Sequence, residues 1–175
     1  MRFEKRQVLE GTVDEVERAL ISDAYLPFLL KHHGVLLEVS LLEKKDEGTR
    51  LQRRVRYRPK PVIEAIGTRR VPPEWFAFVE SSTWDRSTRS GSFTNVPTTA
   101  QISSMLLNTG TVRLRDAGSG RTERTIEGEI ALKVPFLLKL VAPIAEALIH
   151  REGLKILDAE AVVMNRFIAE VLRAK

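Results

Sequence analysis

EGEIALKVPFLLKLVAPIAEALI, residues Glu127–Ile149, is the stretch whose reading decides the fold. From Ile126, just before it, to Val134 the apolar residues keep one parity, Ile126, Ile130, Leu132 and Val134 with Gly128 among them, against Glu127, Glu129, Ala131 and Lys133, which is the period of a half-buried strand. From Pro135 onward the period becomes helical: Ala145, Leu148, Ile149, Ile156, Ala159, Val163, Phe167 and Val171 fall at i, i+3, i+4 spacings. The spacing predicts a strand over Arg121–Val134, then a long helix to about Lys175. Pro143 must kink that helix, start a new segment, or separate a short turn from it. Gly153 interrupts the apolar stripe at a cost of about 1 kcal/mol relative to alanine, which points to close packing or to space beneath it.

Working back from this stretch, the chain reads as a run of hairpins. Met105–Asp116 pairs with the last strand around Ala117-Gly118-Ser119-Gly120, a strong turn signal. Trp75–Asp85 and Ser90–Val96 form another pair, followed by a loop over Thr98–Ser104. Val35–Lys44 and Thr49–Arg58 form a third, across a Lys45–Gly48 turn. In Thr49–Arg58, Leu51, Arg53, Val55 and Tyr57 share one face, whereas Gln52, Arg54, Arg56 and Arg58 take the other. Pro59, Pro61, Gly67, Pro72 and Pro73 then surround an apolar insert, Val62, Ile63, Ala65 and Ile66, marking a long connection with room for one helical turn, a lid.

At the start, Arg2–Leu9 alternates as a strand. Thr12 with Glu15 three residues on is a capping-box spacing, and Val13, Val16, Ala19 and Leu20 define a short helix. A second short helix runs through Leu26, Phe28, Leu29 and Leu30 and stops at Gly34. One strand, two short helices, six further strands and a terminal helix imply a single α+β domain over residues 1–175, with a curved antiparallel seven-stranded sheet.

Composition agrees with one core. The chain has 175 residues, 43% of them hydrophobic, and no cysteine, which excludes thiol catalysis, disulfides and thiolate zinc sites. Its first residues, MRFEKRQVLEG, lack the apolar core of a secretory signal, and Val134–Ile149 is too short and too interrupted to span a bilayer, so the expected location is the cytoplasm. The net charge of +5 is concentrated. Between Thr49 and Pro73 eight basic residues stand against one acid, Glu64.

The element order, the apolar terminal helix and the Glu127–Ile149 transition resemble the START-like, or helix-grip, superfamily (SRPBCC) that includes the birch-pollen allergens and polyketide cyclases. Within it the chain most resembles an uncharacterised bacterial START-like family, with a more distant likeness to PRELI-type and VASt-type lipid-transfer domains, whose lid lies between the third and fourth strands. The likeness covers essentially the whole chain and rests on order and pattern, with no catalytic signature. It implies a cavity between sheet and long helix that takes a lipid, sterol, polyketide or similar apolar molecule.

Candidate cavity residues on the strands are Leu41, Arg53, Val55, Tyr57, Phe78, Trp84, Leu114 and Ile130, and on the helices Phe28, Ile149, Ile156 and Val163. Gly128, Gly153 and Ala159 leave space there. Ordinary core packing is the competing reading for each of them. The lid and its flanks, Arg54, Arg56, Val62, Ile63, Ile66, Arg69, Arg70 and Trp75, read either as a contact with anionic membrane or as a solvated strand face paired with Glu38, Glu127 or Glu129. Nucleic acid is the weaker partner, since no RNA-binding signature accompanies the arginines.

Signals for catalysis are poor. His32 and His33 end a short helix, where capping explains them, and His150 stands alone. Three histidines without a carboxylate cluster predict no metal site, and no cofactor motif is present. Ser81, Ser82, Asp85 and Arg53 could furnish a cyclase-like pocket but lack a positioned base. The leading expectation is therefore binding, transfer or sequestration of a hydrophobic small molecule or lipid. The alternatives are a polyketide cyclase or aromatase-like enzyme, with a polar constellation deep in the cavity, and a protein-interaction module using the basic face, with a closed core.

Overall fold

The computed structural model describes residues 1–61, 65–66, 69–70, 72–103, 106–132 and 142–174. In chain order the elements are β1 (Arg2–Leu9), α1 (Val13–Ile21), α2 (Tyr25–His32), β2 (Leu36–Asp46), β3 (Arg50–Pro59), β4 (Ala65–Ile66), β5 (Arg69–Arg70), β6 (Phe78–Asp85), β7 (Ser90–Pro97), α3 (Ala100–Ser103), β8 (Leu106–Gly118), β9 (Arg121–Leu132) and α4 (Ala142–Phe167). Seven strands form one antiparallel sheet in the order β1-β9-β8-β7-β6-β3-β2. The first strand closes against the last because its apolar parity, Phe3 to Leu9, meets that of β9 in register, Phe3 opposite Gly128 and Leu9 opposite Thr122.

The capping box of α1 is formed. The Thr12 amide donates to Glu15 Oε2 at 2.8 Å, and the Glu15 amide donates to Thr12 Oγ1 at 3.3 Å. This fixes where the chain leaves β1 and lays Val13, Val16 and Ala19 onto the core.

Two expectations change. The strand expected from Trp75 begins at Phe78, because Pro72-Pro73 starts a 3-10 turn over Pro73–Phe76 with proline at its first positions. The 98–104 loop contains one helical turn, α3. The lid connection carries a two-residue ladder, Ala65 opposite Arg70 and Ile66 opposite Arg69, ahead of that 3-10 turn, and Val62 and Ile63 lie outside the described residues. Pro143 sits in the first turn of α4, where its missing N–H leaves no hydrogen bond unmade, and the segment expected as helix before it lies outside the described residues. At its other end α4 passes into a π-helical turn over Ile168–Leu172.

The core is concentrated toward one end of the sheet. Leu9, Val16, Ala19, Leu51, Met164, Phe167 and Ile168 are each at most 1% exposed, and they join β1, α1, β3 and the C-terminal half of α4. The middle of α4, from Ile149 to Glu160, roofs a different space.

A cavity between sheet and helix

Between the sheet and the Ile149–Glu160 span of α4 lies a cavity of about 550 Å³. Its floor comes from the inward parity of the strands, including Tyr57 of β3, Phe78 and Trp84 of β6, and Ile126 and Ile130 of β9. Its roof is Ile149, Gly153, Ile156 and Leu157 of α4. A β-carbon built on Gly153 would meet nothing within 4 Å, so this helical glycine faces open space. The wall is predominantly apolar, and the Tyr57 and Phe78 rings stack with centroids 5.5 Å apart.

Within this apolar wall runs a polar row. Glu80 of β6 lies opposite Asn95 of β7, Asn95 opposite Asn108 of β8, and Asn108 opposite Ile130 of β9. Arg53 of β3 is the diagonal neighbour of Glu80, since Arg53 pairs with Ser82 and Val55 with Glu80. All of Arg53, Glu80, Ser82, Asn95 and Asn108 line the cavity. Arg53 Nη1, Asn95 Oδ1 and Asn108 Oδ1 are buried with no hydrogen-bond partner among the described residues. Burial pushes the Glu80 carboxyl up from its ordinary range, against the opposing pull of Arg53. Burial likewise raises the Tyr57 phenol.

A second polar group braces the roof. Arg124 of β9 donates to Gln7 Oε1 through Nε at 3.0 Å and Nη2 at 2.6 Å, and Nη2 also bonds Glu160 of α4. Tyr25 donates its phenol to Glu160 Oε1 at 2.7 Å, and Gln7 Nε2 donates to the Leu157 carbonyl at 2.9 Å. Burial opposes the Arg124 charge, but Glu160 outweighs it and holds the guanidinium above its ordinary pKa. The network ties β1, β9 and α2 to α4. Its members are internally satisfied, so its role is to hold the helix over the cavity.

His33, the C-cap residue of α2, is 3% exposed, and its Nε2 lies 3.0 Å from the Ile156 carbonyl. A carbonyl only accepts, so Nε2 carries the proton; buried Nδ1 has no partner among the described residues. His32 is half-buried, with Arg166 Nη1 3.1 Å from its Nδ1. His150 reaches the cavity beside Phe3. Among the described residues no three His, Asp or Glu side chains converge to hold a metal.

Of the candidate cavity residues, Arg53, Tyr57, Phe78, Trp84, Ile130, Ile149 and Ile156 come together on its wall. Five do not. Leu114 and Val163 are buried in the closed end, and Phe28 packs its ring edge-on to Phe167, 5.2 Å away. Val55 is buried on the inward face of β3 but off the wall. Leu41, on the edge strand β2, is 38% exposed. Gly128 makes room for the protein's own Phe3, whose Cζ would lie 2.6 Å from an added β-carbon. Ser81 is exposed, and Asp85 accepts from Ser87 and Thr88 in the β6–β7 turn, so only Ser82 and Arg53 of the proposed polar set reach the cavity.

The arginines on the outer face of β3 have partners on β2. Arg54 pairs with Glu43 at 3.5 Å, and Arg56 and Arg58 with Glu38 at 3.3 and 3.4 Å. Glu127 and Glu129 belong to β9, four places away in the sheet, and do not meet them. Trp75 is 41% exposed yet also lines the cavity, as does Phe76. Arg70 is exposed, and Arg69 and Ile66 lie in the β4–β5 ladder. Among the described residues no helix is long and apolar enough to cross a membrane.

Glu80, Asn95, Asn108, Arg124 and Glu160 were missed by the sequence reading. A signal existed for four of them: each lies on the apolar parity of its strand, Glu80 between Phe78 and Trp84, Arg124 two before Ile126.

A family model described as a protein of unknown function (DUF2505) matches residues 4–168. The chain belongs to this family. No curated protein sequence matches it. Among solved structures, the Zhui aromatase/cyclase from Streptomyces sp. R1128 superposes with a TM-score of 0.67 at 13% identity, covering 96% of this chain and 95% of that one. A norcoclaurine synthase from Thalictrum flavum gives 0.64 at 13% identity, covering 97% and 87%. A Thermus thermophilus protein gives 0.63 at 14%, covering 94% and 97%. The fold of this DUF2505 protein is the helix-grip, START-like fold.

Proposed function

We propose that this DUF2505 protein binds a hydrophobic small molecule in the cavity between the sheet and α4, as a carrier or sequestering protein. The observation that carries this reading is an apolar space of about 550 Å³ under Gly153, within the size range of small-molecule sites. The connection between β3 and β6 serves as the access lid, because Trp75 touches both solvent and cavity. With Arg54 and Arg56 committed to carboxylates, contact with an anionic membrane falls to the lid's own Arg69, Arg70 and Trp75. The test is native mass spectrometry of freshly purified protein, followed by solvent extraction. The expected result is a co-purifying apolar molecule that Gly153→Phe, which fills the cavity, no longer retains; equal retention by the variant would overturn the reading.

One observation favours a second reading. Arg53, Tyr57 and Glu80 place a cation, a phenol and a carboxyl with a raised pKa along one wall, as an enzyme of the aromatase/cyclase type would require.

A further inference from the structure

The cavity holds few charges, and their placement constrains what can enter. Arg124 and Glu160 bond each other, and Glu152 bonds Arg151 and Lys155 outside. That leaves Arg53 and Glu80 as the charged side chains on the wall without a bonded ionic partner among the described residues. They are diagonal neighbours on β3 and β6, close enough for Arg53 to act on the Glu80 carboxyl, yet they do not form a direct ion pair. Beside Glu80 the row continues through Asn95 and Asn108, amides that can both donate and accept.

A ligand head placed on this row meets a cation and an anion together. A carboxylate that pairs with Arg53 is set against Glu80 and must also shed its water in an apolar space, while an ammonium that pairs with Glu80 is set against Arg53. A neutral group that both donates and accepts, such as a hydroxyl, a phenol or an enolised ketone, can bridge the two and use the amides. Resting on the small-molecule reading above, we propose that Glu80 is the charge filter of this cavity: it neutralises Arg53, excludes carboxylates, and selects a neutral, oxygen-bearing apolar ligand. Fatty acids are thereby disfavoured even though the rest of the wall suits an alkyl chain.

The test uses three probes of matched apolar bulk, 4-decylphenol, 4-decylbenzoate and decylbenzene, titrated into the purified protein while the fluorescence of the two tryptophans on the cavity wall, Trp75 and Trp84, is followed. The wild type should bind the phenol at least about tenfold tighter than the benzoate. Glu80→Gln should tighten the benzoate by about tenfold, because Arg53 is then uncompensated, and change the phenol by less than about threefold. Adding Arg53→Met to Glu80→Gln should abolish that gain, an outcome that simple loosening of the wall would not produce. Should Glu80→Gln misfold, Arg53→Met alone decides by the opposite sign, weakening the benzoate further. A wild type that prefers the benzoate, or an E80Q that does not improve it, overturns the filter and leaves the cavity reading intact. Failure of all three probes to bind the wild type overturns both.

Discussion

At the scale of single residues, Glu15 shows how one side chain serves two elements. Its carboxylate takes a bidentate pair from Arg173, Nε at 2.8 Å and Nη2 at 2.9 Å, while accepting from the Thr12 amide, so it clamps the last turn of the chain onto the first turn of α1. Arg173 and, to a lesser degree, Thr12 hold the Glu15 carboxyl down at about 2, against an ordinary 4.5. A depressed carboxyl contributes stability that is fully present above its unfolded pKa and lost as pH falls through the folded one. Glu15→Gln should therefore cost roughly 1–2 kcal/mol at neutral pH, with the difference shrinking between pH 4.5 and 2, as read by urea titrations across that range. A constant difference down to pH 2 would show that the clamp is not electrostatic. The Thr12–Glu15 half was legible from spacing alone. Arg173, 158 residues away, was not, because nothing local distinguishes it from a solvated terminal arginine.

At the scale of elements, α4 divides its work along its length. From Val163 to Phe167 it supplies side chains to a packed core, whereas from Ile149 to Glu160 it roofs a cavity, with Gly153 in the middle of that span. Periodicity revealed the apolar stripe but not the division, because a core position and a cavity position present the same residue types to the same face. This is why Val163 and Ile156 were grouped together. On the strands the same limit applies in reverse: parity placed Phe78 and Trp84 inward correctly, but Glu80, Asn95 and Asn108 share their parity and were passed over as polar. Gly153 separates packing from space by experiment. Alanine there meets no neighbour and removes a helical glycine, so Gly153→Ala should raise stability by up to about 1 kcal/mol in thermal or chemical denaturation. A loss instead would mean that the roof is tighter than this geometry.

At the scale of the whole molecule, the fold joins a closed end that supplies stability to an open end that the described residues leave unfilled. The element order and the change of apolar period between the last strand and the terminal helix were enough to identify the helix-grip arrangement, since each strand alternates and each hairpin carries its own turn residues. The cavity was not legible, because its wall and the brace of Arg124, Glu160, Gln7 and Tyr25 join residues that lie far apart in sequence. An unfilled apolar space forfeits the contacts its lining atoms would otherwise make, so occupancy and stability are linked. Protein stripped of bound molecules by organic extraction and refolding should melt lower than protein as purified. At a ligand concentration about a hundred times Kd the linkage amounts to about 2.7 kcal/mol, or roughly 5–10 °C for a chain of this length. Returning the extract should restore the melting temperature of the wild type but not of Gly153→Phe, whose ring occupies the same space. Identical melting before and after extraction, with no response to the extract, would place the stability of this fold in its closed end alone and remove the thermodynamic case for a resident ligand.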